Sequence, residues 1–102
     1  MRIDVVGRKV EVTEAIREYA ESKAVKLPKY YDGLQQVTFT LTKQNHQASA
    51  TFDAELVLDV ARHEDFVSHA SDMDLYAAID LVCEKGERQL REFKEQLKNG
   101  KH

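Results

Sequence analysis

The sequence predicts an α+β domain in which a four-stranded, largely antiparallel sheet carries two helices on one face. Apolar and polar residues alternate, as in half-buried strands, over 2–7, 35–43, 48–60 and 66–70. Apolar residues recur every three or four positions, as in amphipathic helices, over 14–27 and 72–98. The element order is therefore β-α-β-β-β-α, a two-layer sandwich whose sheet has one apolar and one polar face.

Length and composition are those of one globular domain. The chain has 102 residues, of which 42% are hydrophobic and 32% charged, and we expect a single domain over 1–102 that ends in a few flexible residues. No apolar run approaches the roughly 20 residues of a membrane span, and the first residues lack the apolar core of a signal peptide. Cys83 is the sole cysteine, which fits a reducing compartment. We therefore expect a cytoplasmic protein with no membrane partner.

The first strand and the first helix have clear boundary signals. Ile3 and Val5 alternate with polar residues until Gly7, which ends the strand. Thr13 is a favourable N-cap for the helix at 14–27, and Pro28 ends that helix.

Lys23 falls within the apolar stripe of the first helix. Because an unpaired buried ammonium is costly, we expect its aliphatic stem to cover the core and its charged head to emerge at the helix edge. If that edge faces the second helix, the head joins a groove that both helices line.

The middle of the chain predicts three strands joined by turns. Val37, Phe39 and Leu41 point to one side of the strand at 35–43, and threonines alternate with them on the other side. The letters NHQ mark the turn into a long strand at 48–60, and ARHED marks the turn into the last strand at 66–70. We expect these last two strands to pair as a hairpin.

Ser71 and Asp74 have the spacing of a capping box, which predicts that the second helix begins at about residue 72. The apolar stripe of this helix is expected to be buried and consists of Leu75, Tyr76, Ile79, Val82, Cys83, Gly86, Leu90, Phe93 and Leu97. A glycine inside a helix costs about 1 kcal/mol relative to alanine. The place of Gly86 in the stripe therefore predicts a close approach to the first helix or a local bend.

Motifs for catalysis are absent from the sequence: it has no glycine-rich phosphate loop, nucleophile elbow or HExxH. His63 and His69 are the pair that the last hairpin can bring together, but no cysteine or carboxylate spacing completes a metal site. Cys83 lies in the apolar stripe and is interpreted as a small buried hydrophobic residue. We therefore expect no enzyme, metal, cofactor or small-molecule substrate.

Charge is distributed unevenly along the chain. The net charge is −3, but residues 44–74 hold seven acids and one base, so the rest of the chain is positive. Two interpretations follow, a basic binding face opposite an acidic edge or charges scattered over a solvated surface.

The two predicted helices and the turn after the first carry the candidate nucleic-acid contacts, which are Lys23, Lys26, Lys29, Lys85, Arg88, Arg91 and Lys94. On the second helix, acids stand four residues before Arg88 and Arg91, at Glu84 and Glu87, and we expect these pairs to neutralise both arginines in part. The lysines at 23, 26, 29 and 85 have no obvious acid partner on their own helices. They are therefore the better candidates for phosphate contacts.

Three segments resemble a known family. Residues 10–32, VEVTEAIREYAESKAVKLPKYYD, resemble the first helix region of the bacterial ribosome hibernation factors, which include the hibernation-promoting factors and the ribosome-associated inhibitors and were once called sigma-54 modulation proteins. Residues 74–80, DLYAAID, are similar to the family's most recognisable motif, and RQL at 88–90 also matches. The predicted element order is that of the family's fold.

The resemblance implies a function that composition alone does not indicate. It implies binding to the small ribosomal subunit and its ribosomal RNA in the decoding channel, where the protein blocks transfer RNA and messenger RNA and silences translation under stress or in stationary phase. The family's basic residues match Lys23, Lys26, Lys85 and Arg88, and also Arg17, for which a structural role is as good an explanation. Inactive ribosome dimers, which the family can favour, are left open. Because the chain ends at NGKH, soon after the second helix, we expect the hibernation-promoting type.

Some residues depart from the family's pattern. Gly86 stands where a larger apolar residue is usual, and Glu87, Glu92 and Glu95 occur in a stretch that is more basic in the family. Two other functions stay open on the residues alone. One is a protein-interaction module that uses the acidic hairpin at 53–65, and the other is a general double-stranded RNA-binding domain, which rests on fold analogy.

Overall fold

The computed structural model describes residues 1–100, and the predicted order β-α-β-β-β-α is confirmed in it. The predicted flexible tail includes Lys101 and His102, which lie outside the described residues. A short 3₁₀ helix at Leu27–Lys29 follows the first α-helix. The main elements are β1 (Arg2–Arg8), α1 (Glu14–Ala24), β2 (Leu34–Asn45), β3 (Ala50–Val60), β4 (Phe66–Asp72) and α2 (Leu75–Lys98).

The four strands form one sheet in the order β1-β2-β3-β4. β1 runs parallel to β2, whereas the β2–β3 and β3–β4 pairs are antiparallel. A parallel pair needs a crossover connection, and α1 supplies it between β1 and β2. The prediction of a four-stranded, largely antiparallel sheet is confirmed.

One face of the sheet is apolar and is covered by both helices. α2 packs on β3 and β4, and α1 packs on β1 and α2. The largest side chains that are fully buried between the two layers are Phe39, Leu41, Leu56, Leu58, Ile79, Leu90, Val37, Val60 and Val82. The opposite face, called the polar face below, carries Thr38, Thr40, Asp53, Glu55 and His69, each half-buried or exposed.

The predicted capping box at the start of the second helix is wrong. β4 continues through Asp72, so α2 begins at Leu75, and Asp74 is its N-cap, with a carboxylate that accepts a hydrogen bond from the Tyr76 backbone N–H at 3.0 Å. Ser71 belongs to the strand, where its hydroxyl donates to Asp53 on the polar face. A continuing strand therefore overrides the local capping signal.

The first helix ends three residues earlier than predicted, at Ala24 rather than Leu27. The chain tightens into the 3₁₀ helix there, with Pro28 in its first turn. The ring of proline fixes its φ angle and removes a backbone donor, so regular α-helical hydrogen bonding stops before it.

Tyr76 and Leu97, both predicted in the buried stripe of α2, are 39% and 38% exposed. Tyr76 lies beside α1, where its ring meets the edge of Tyr19 at 4.9 Å between ring centres. Phe93 packs on Phe66, the first residue of β4, at 5.3 Å between ring centres, so Leu97 lies one turn beyond the strand. The helix is longer than the surface that buries it.

Gly86 lets α2 lie close to the sheet. A Cβ at this position would stand 2.6 Å from Leu56 Cδ2 and 3.3 Å from Leu58 Cδ1, both on β3. The close approach is therefore to β3, whereas the sequence had suggested either the first helix or a local bend. The fully buried leucines occupy the space that a larger side chain at Gly86 would need.

We expect Gly86→Ala to lower the free energy of unfolding, although alanine favours a helix by about 1 kcal/mol. The added methyl group meets Leu56, and overpacking a core costs about 1–3 kcal/mol. Urea unfolding followed by circular dichroism measures the change. Valine lacks the Cδ atoms of leucine, so the same substitution in a Leu56→Val background should be neutral or stabilising. Stabilisation by Gly86→Ala in the unaltered chain would contradict the close contact.

Candidate nucleic-acid interface

The predicted contact residues all lie on the helical layer, and the structure divides them into three neighbouring sites. Lys23 and Lys26 line a groove between α1 and α2, called the seam groove below. Lys85 and Arg88 line a second groove, between α2 and the edge strand β4. The remaining three residues, Lys29, Arg91 and Lys94, share a concave site near the end of α2, called the basic basin below.

The walls of the seam groove carry opposite charges. Lys23 and Lys26 project from the α1 side. The α2 side carries Asp80, Glu84 and Glu87, whose spacing places them on one face of the helix. The groove is therefore not a simple cationic channel, and a phosphate that enters it meets carboxylates as well as ammonium groups.

Lys23 emerges at the edge of α1 that faces α2, where the acid partner that its own helix lacks is supplied by α2. Its Nζ lies 3.2 Å from Asp80 Oδ1 and 5.3 Å from the centre of the Tyr19 ring. The carboxylate of Asp80 holds the pKa of Lys23 above its ordinary value, through a hydrogen bond first and charge attraction second. The partner was missed because it lies on the other helix.

Tyr19 makes a second contact across the seam that the sequence did not predict. Its hydroxyl donates a hydrogen bond to Asp80 Oδ1 at 2.6 Å. This bond to a carboxylate raises the pKa of Tyr19, with burial as the next cause. Asp80 therefore joins two side chains of α1 to α2.

Lys85 and Gln89 cover the free edge of β4. The Lys85 ammonium donates to the backbone carbonyl of His69, and Gln89 Nε2 donates to that of Val67 at 3.2 Å. An edge strand otherwise presents unpaired carbonyls to other chains, so these bonds protect it. Lys85 also remains exposed and lines the groove with Arg88.

The basic basin has the greatest excess of positive charge among these sites. Lys29, Arg91, Lys94 and Lys98 line it together with Tyr30 and a single acid, Glu95. Lys29 Nζ lies 5.1 Å from the centre of the Tyr30 ring, within the range of a cation–π contact. Within residues 1–100, none of these four cations has a carboxylate within 4.0 Å.

The helical ion pairs predicted for Arg88 and Arg91 are not formed. The ion pairs found among residues 1–100 are Arg2–Asp4, Lys23–Asp80 and His69–Glu55. An exposed pair gains little in water and loses side-chain entropy, so the partners four residues apart stay separate. Neither arginine is held by a carboxylate within 4.0 Å, although both share a surface depression with Glu84 and Glu87.

His63 and His69, the two histidines considered for a metal site, do not come together in the structure. His63 stacks on Phe66 at 4.8 Å between ring centres, and His69 contacts Glu55 on the polar face at 3.1 Å. In the part of the chain that the structure describes, no three His, Cys, Asp or Glu side chains are grouped to hold a metal ion. Over the same residues, no helix has the length and hydropathy that a bilayer crossing requires.

Comparison with known proteins identifies the family. The family model described as Sigma 54 modulation protein / S30EA ribosomal protein matches residues 3–98. The chain belongs to this family. The membership that the segments at 10–32 and 74–80 indicated is therefore confirmed.

Relatives and solved structures agree with the assignment. The chain is 39% identical to the ribosome hibernation promoting factor of Escherichia coli K12, over 96% of this chain and 98% of the relative. It is 36% identical to the factor of the same name from Azotobacter vinelandii, over 93% of this chain and 84% of the relative. The Protein Y N-terminal domain of Thermus thermophilus superposes with a TM-score of 0.79 at 33% identity, over 91% and 99% of the two chains. The fold is shared by a ribosomal subunit interface protein from Coxiella burnetii, which superposes with a TM-score of 0.80 at 21% identity. The superposition covers 93% of this chain and 99% of that one.

Cys83 lies at the bottom of the seam groove and should be unreactive in the folded protein. It is 7% exposed, and burial raises the pKa of its thiol to about 12. Since the thiolate is the nucleophile, we expect no reaction with a disulfide reagent at pH 8 until urea unfolds the chain. A Cys83→Ala, Glu84→Cys variant, with its thiol on the exposed side of α2, is the matched control and should react at once. Rapid labelling of native Cys83 would contradict its placement.

Proposed function

We propose that this protein is a ribosome hibernation factor that binds the small ribosomal subunit through its ribosomal RNA. In this proposal it occupies the decoding channel, blocks transfer RNA and messenger RNA, and silences translation under stress or in stationary phase. The names of its relatives support the ribosome as partner. The observation that most supports RNA contact is the basic basin, whose four cations face solvent with one acid beside them.

The helical layer suits a phosphate backbone. Phosphate contacts need exposed cations whose charge is not already neutralised, and Arg88, Arg91 and Lys94 meet this condition on successive turns of α2. Lys29 adds a cation from the 3₁₀ helix, and Tyr30 beside it offers an aromatic face for a base. These contacts fix the orientation of the protein on the RNA without reading its sequence.

Silencing by this protein would require only that it occupy its binding site on the ribosome, without catalysing a reaction. The domain measures 50 × 25 × 18 Å along its principal axes, so a single copy excludes a substantial volume wherever it binds. A protein that fills part of the decoding channel keeps other ligands from the same RNA surface. The whole chain, residues 1–102, is then one ribosome-binding domain, and a ribosomal partner places it in the cytoplasm.

The acidic residues of β3 lie on the opposite side from the proposed RNA surface. Asp53 accepts a hydrogen bond from Ser71, and Glu55 contacts His69, both on the polar face. A protein-interaction module that uses the acidic hairpin would engage this face and not the helices. The two functions therefore use different surfaces and can be separated by substitution.

Co-sedimentation with small subunits in sucrose gradients tests the proposal. We expect binding that weakens as salt rises, because counterions are released from the RNA. A triple substitution, Lys29→Gln, Arg91→Gln and Lys94→Gln, should weaken binding at least tenfold and reduce the slope of log K against log salt by about 2 to 3.

The control is a triple substitution on the polar face, Asp53→Asn, Glu55→Gln and Asp59→Asn, which changes the net charge in the opposite direction and should bind at least as well as the unaltered chain. A protein that stays at the top of the gradient at low salt would refute the proposal. Loss of partner binding in the polar-face variant alone would favour the protein-interaction module. Equal affinity for plain RNA duplex and for small subunits would favour a general double-stranded RNA-binding domain.

A further inference from the structure

Asp80, the last residue of the DLYAAID segment, occupies a central place in the seam groove. Its Oδ1 accepts from the Tyr19 hydroxyl at 2.6 Å and lies 3.2 Å from Lys23 Nζ. Both contacts cross from α2 to α1 and join residues that are 61 and 57 positions apart in the chain. Among the acids that line this groove in the described part of the chain, Asp80 is the one in an ion pair.

These contacts restrict Lys23 without burying it. A free lysine side chain samples many rotamers and loses that freedom when it binds a ligand. Here the ammonium is already held between the Asp80 carboxylate and the Tyr19 ring, while the side chain is still 36% exposed. An ammonium has three N–H donors, so donors remain for a second anion after one is given to Asp80.

We propose that Asp80 is a positioning residue for RNA binding, which holds Lys23 so that its remaining N–H groups meet a phosphate at the mouth of the seam groove. This inference rests on the proposed function. It assigns Asp80 the opposite effect from the one its charge alone predicts. A carboxylate near RNA repels phosphate, so charge alone predicts that RNA binds more tightly when Asp80 is neutralised.

Glu84 provides the matched comparison. It lies one helical turn after Asp80, lines the same groove and has no ion-pair partner within residues 1–100. Asp80→Asn and Glu84→Gln each remove one negative charge and keep the size of the side chain. Any general electrostatic effect is therefore common to both variants, and the difference between them reports the positioning of Lys23.

The experiment measures the affinity of each variant for small subunits over a range of salt concentrations. We expect Asp80→Asn to weaken binding by about threefold or more, which is the size of effect expected when the interaction between two contacting residues is lost. Glu84→Gln should leave the affinity unchanged or raise it. Because Asp80 acts through Lys23, the double variant Lys23→Gln, Asp80→Asn should bind no more weakly than Lys23→Gln alone.

Asparagine still accepts a hydrogen bond from Tyr19, so Asp80→Asn is expected to fold, and circular dichroism confirms this in each preparation. Tyr19→Phe distinguishes an effect on the stability of the fold from an effect on the position of Lys23. It removes the hydrogen bond from Tyr19 to Asp80 and leaves the ion pair between Asp80 and Lys23 in place. It should lower the unfolding temperature yet weaken binding less than Asp80→Asn does.

Equal changes in affinity for Asp80→Asn and Glu84→Gln would overturn the inference, and so would full additivity of Asp80→Asn with Lys23→Gln. Either result leaves the proposed function intact, since the unaltered chain still binds. Failure of the unaltered chain to bind small subunits refutes the proposed function itself, so the two failures are distinguishable.

Discussion

The sheet has a single apolar face, and burying that face under two helices determines the rest of the structure. Phe39 and Leu56 on the strands and Ile79 and Leu90 on α2 are fully excluded from solvent. Burial of apolar surface on this scale is the main force that stabilises a domain of 102 residues. Both helices must therefore lie side by side on one face, and their outer surfaces form the continuous layer that carries the basic residues.

The same arrangement explains how a chain of net charge −3 presents a local cationic site, the basic basin. The acids of β3 project from the polar face, whereas the basic basin lies at the end of α2 on the helical side. The two faces are separated by the core, so their charges do not cancel locally. Within the helical layer the charge is graded, from the mixed walls of the seam groove to the basin with its single acid.

Features that depend on local patterns could be predicted from the sequence, and features that depend on contacts between elements could not. Strand alternation and helical periodicity predicted the element order, because burial on one face imposes both. The pair between Lys23 and Asp80 was missed because it joins two helices, whose relative position no single periodicity encodes. The capping box failed for a similar reason, since pairing with β3 extends β4 through Ser71. The neighbours of Gly86 likewise required the packing of α2 on β3 to be known.

Footprinting of lysines on the intact small-subunit complex tests most directly whether the helical layer meets the ribosome. Free and bound protein are acetylated briefly, and the modification of each lysine is read by mass spectrometry. We predict that Lys29, Lys85 and Lys94 on the helical layer become protected, while Lys9 after β1 and Lys43 near the β2–β3 turn keep their reactivity. Protection of Lys9 and Lys43, with the three helical lysines still fully reactive, would contradict the account.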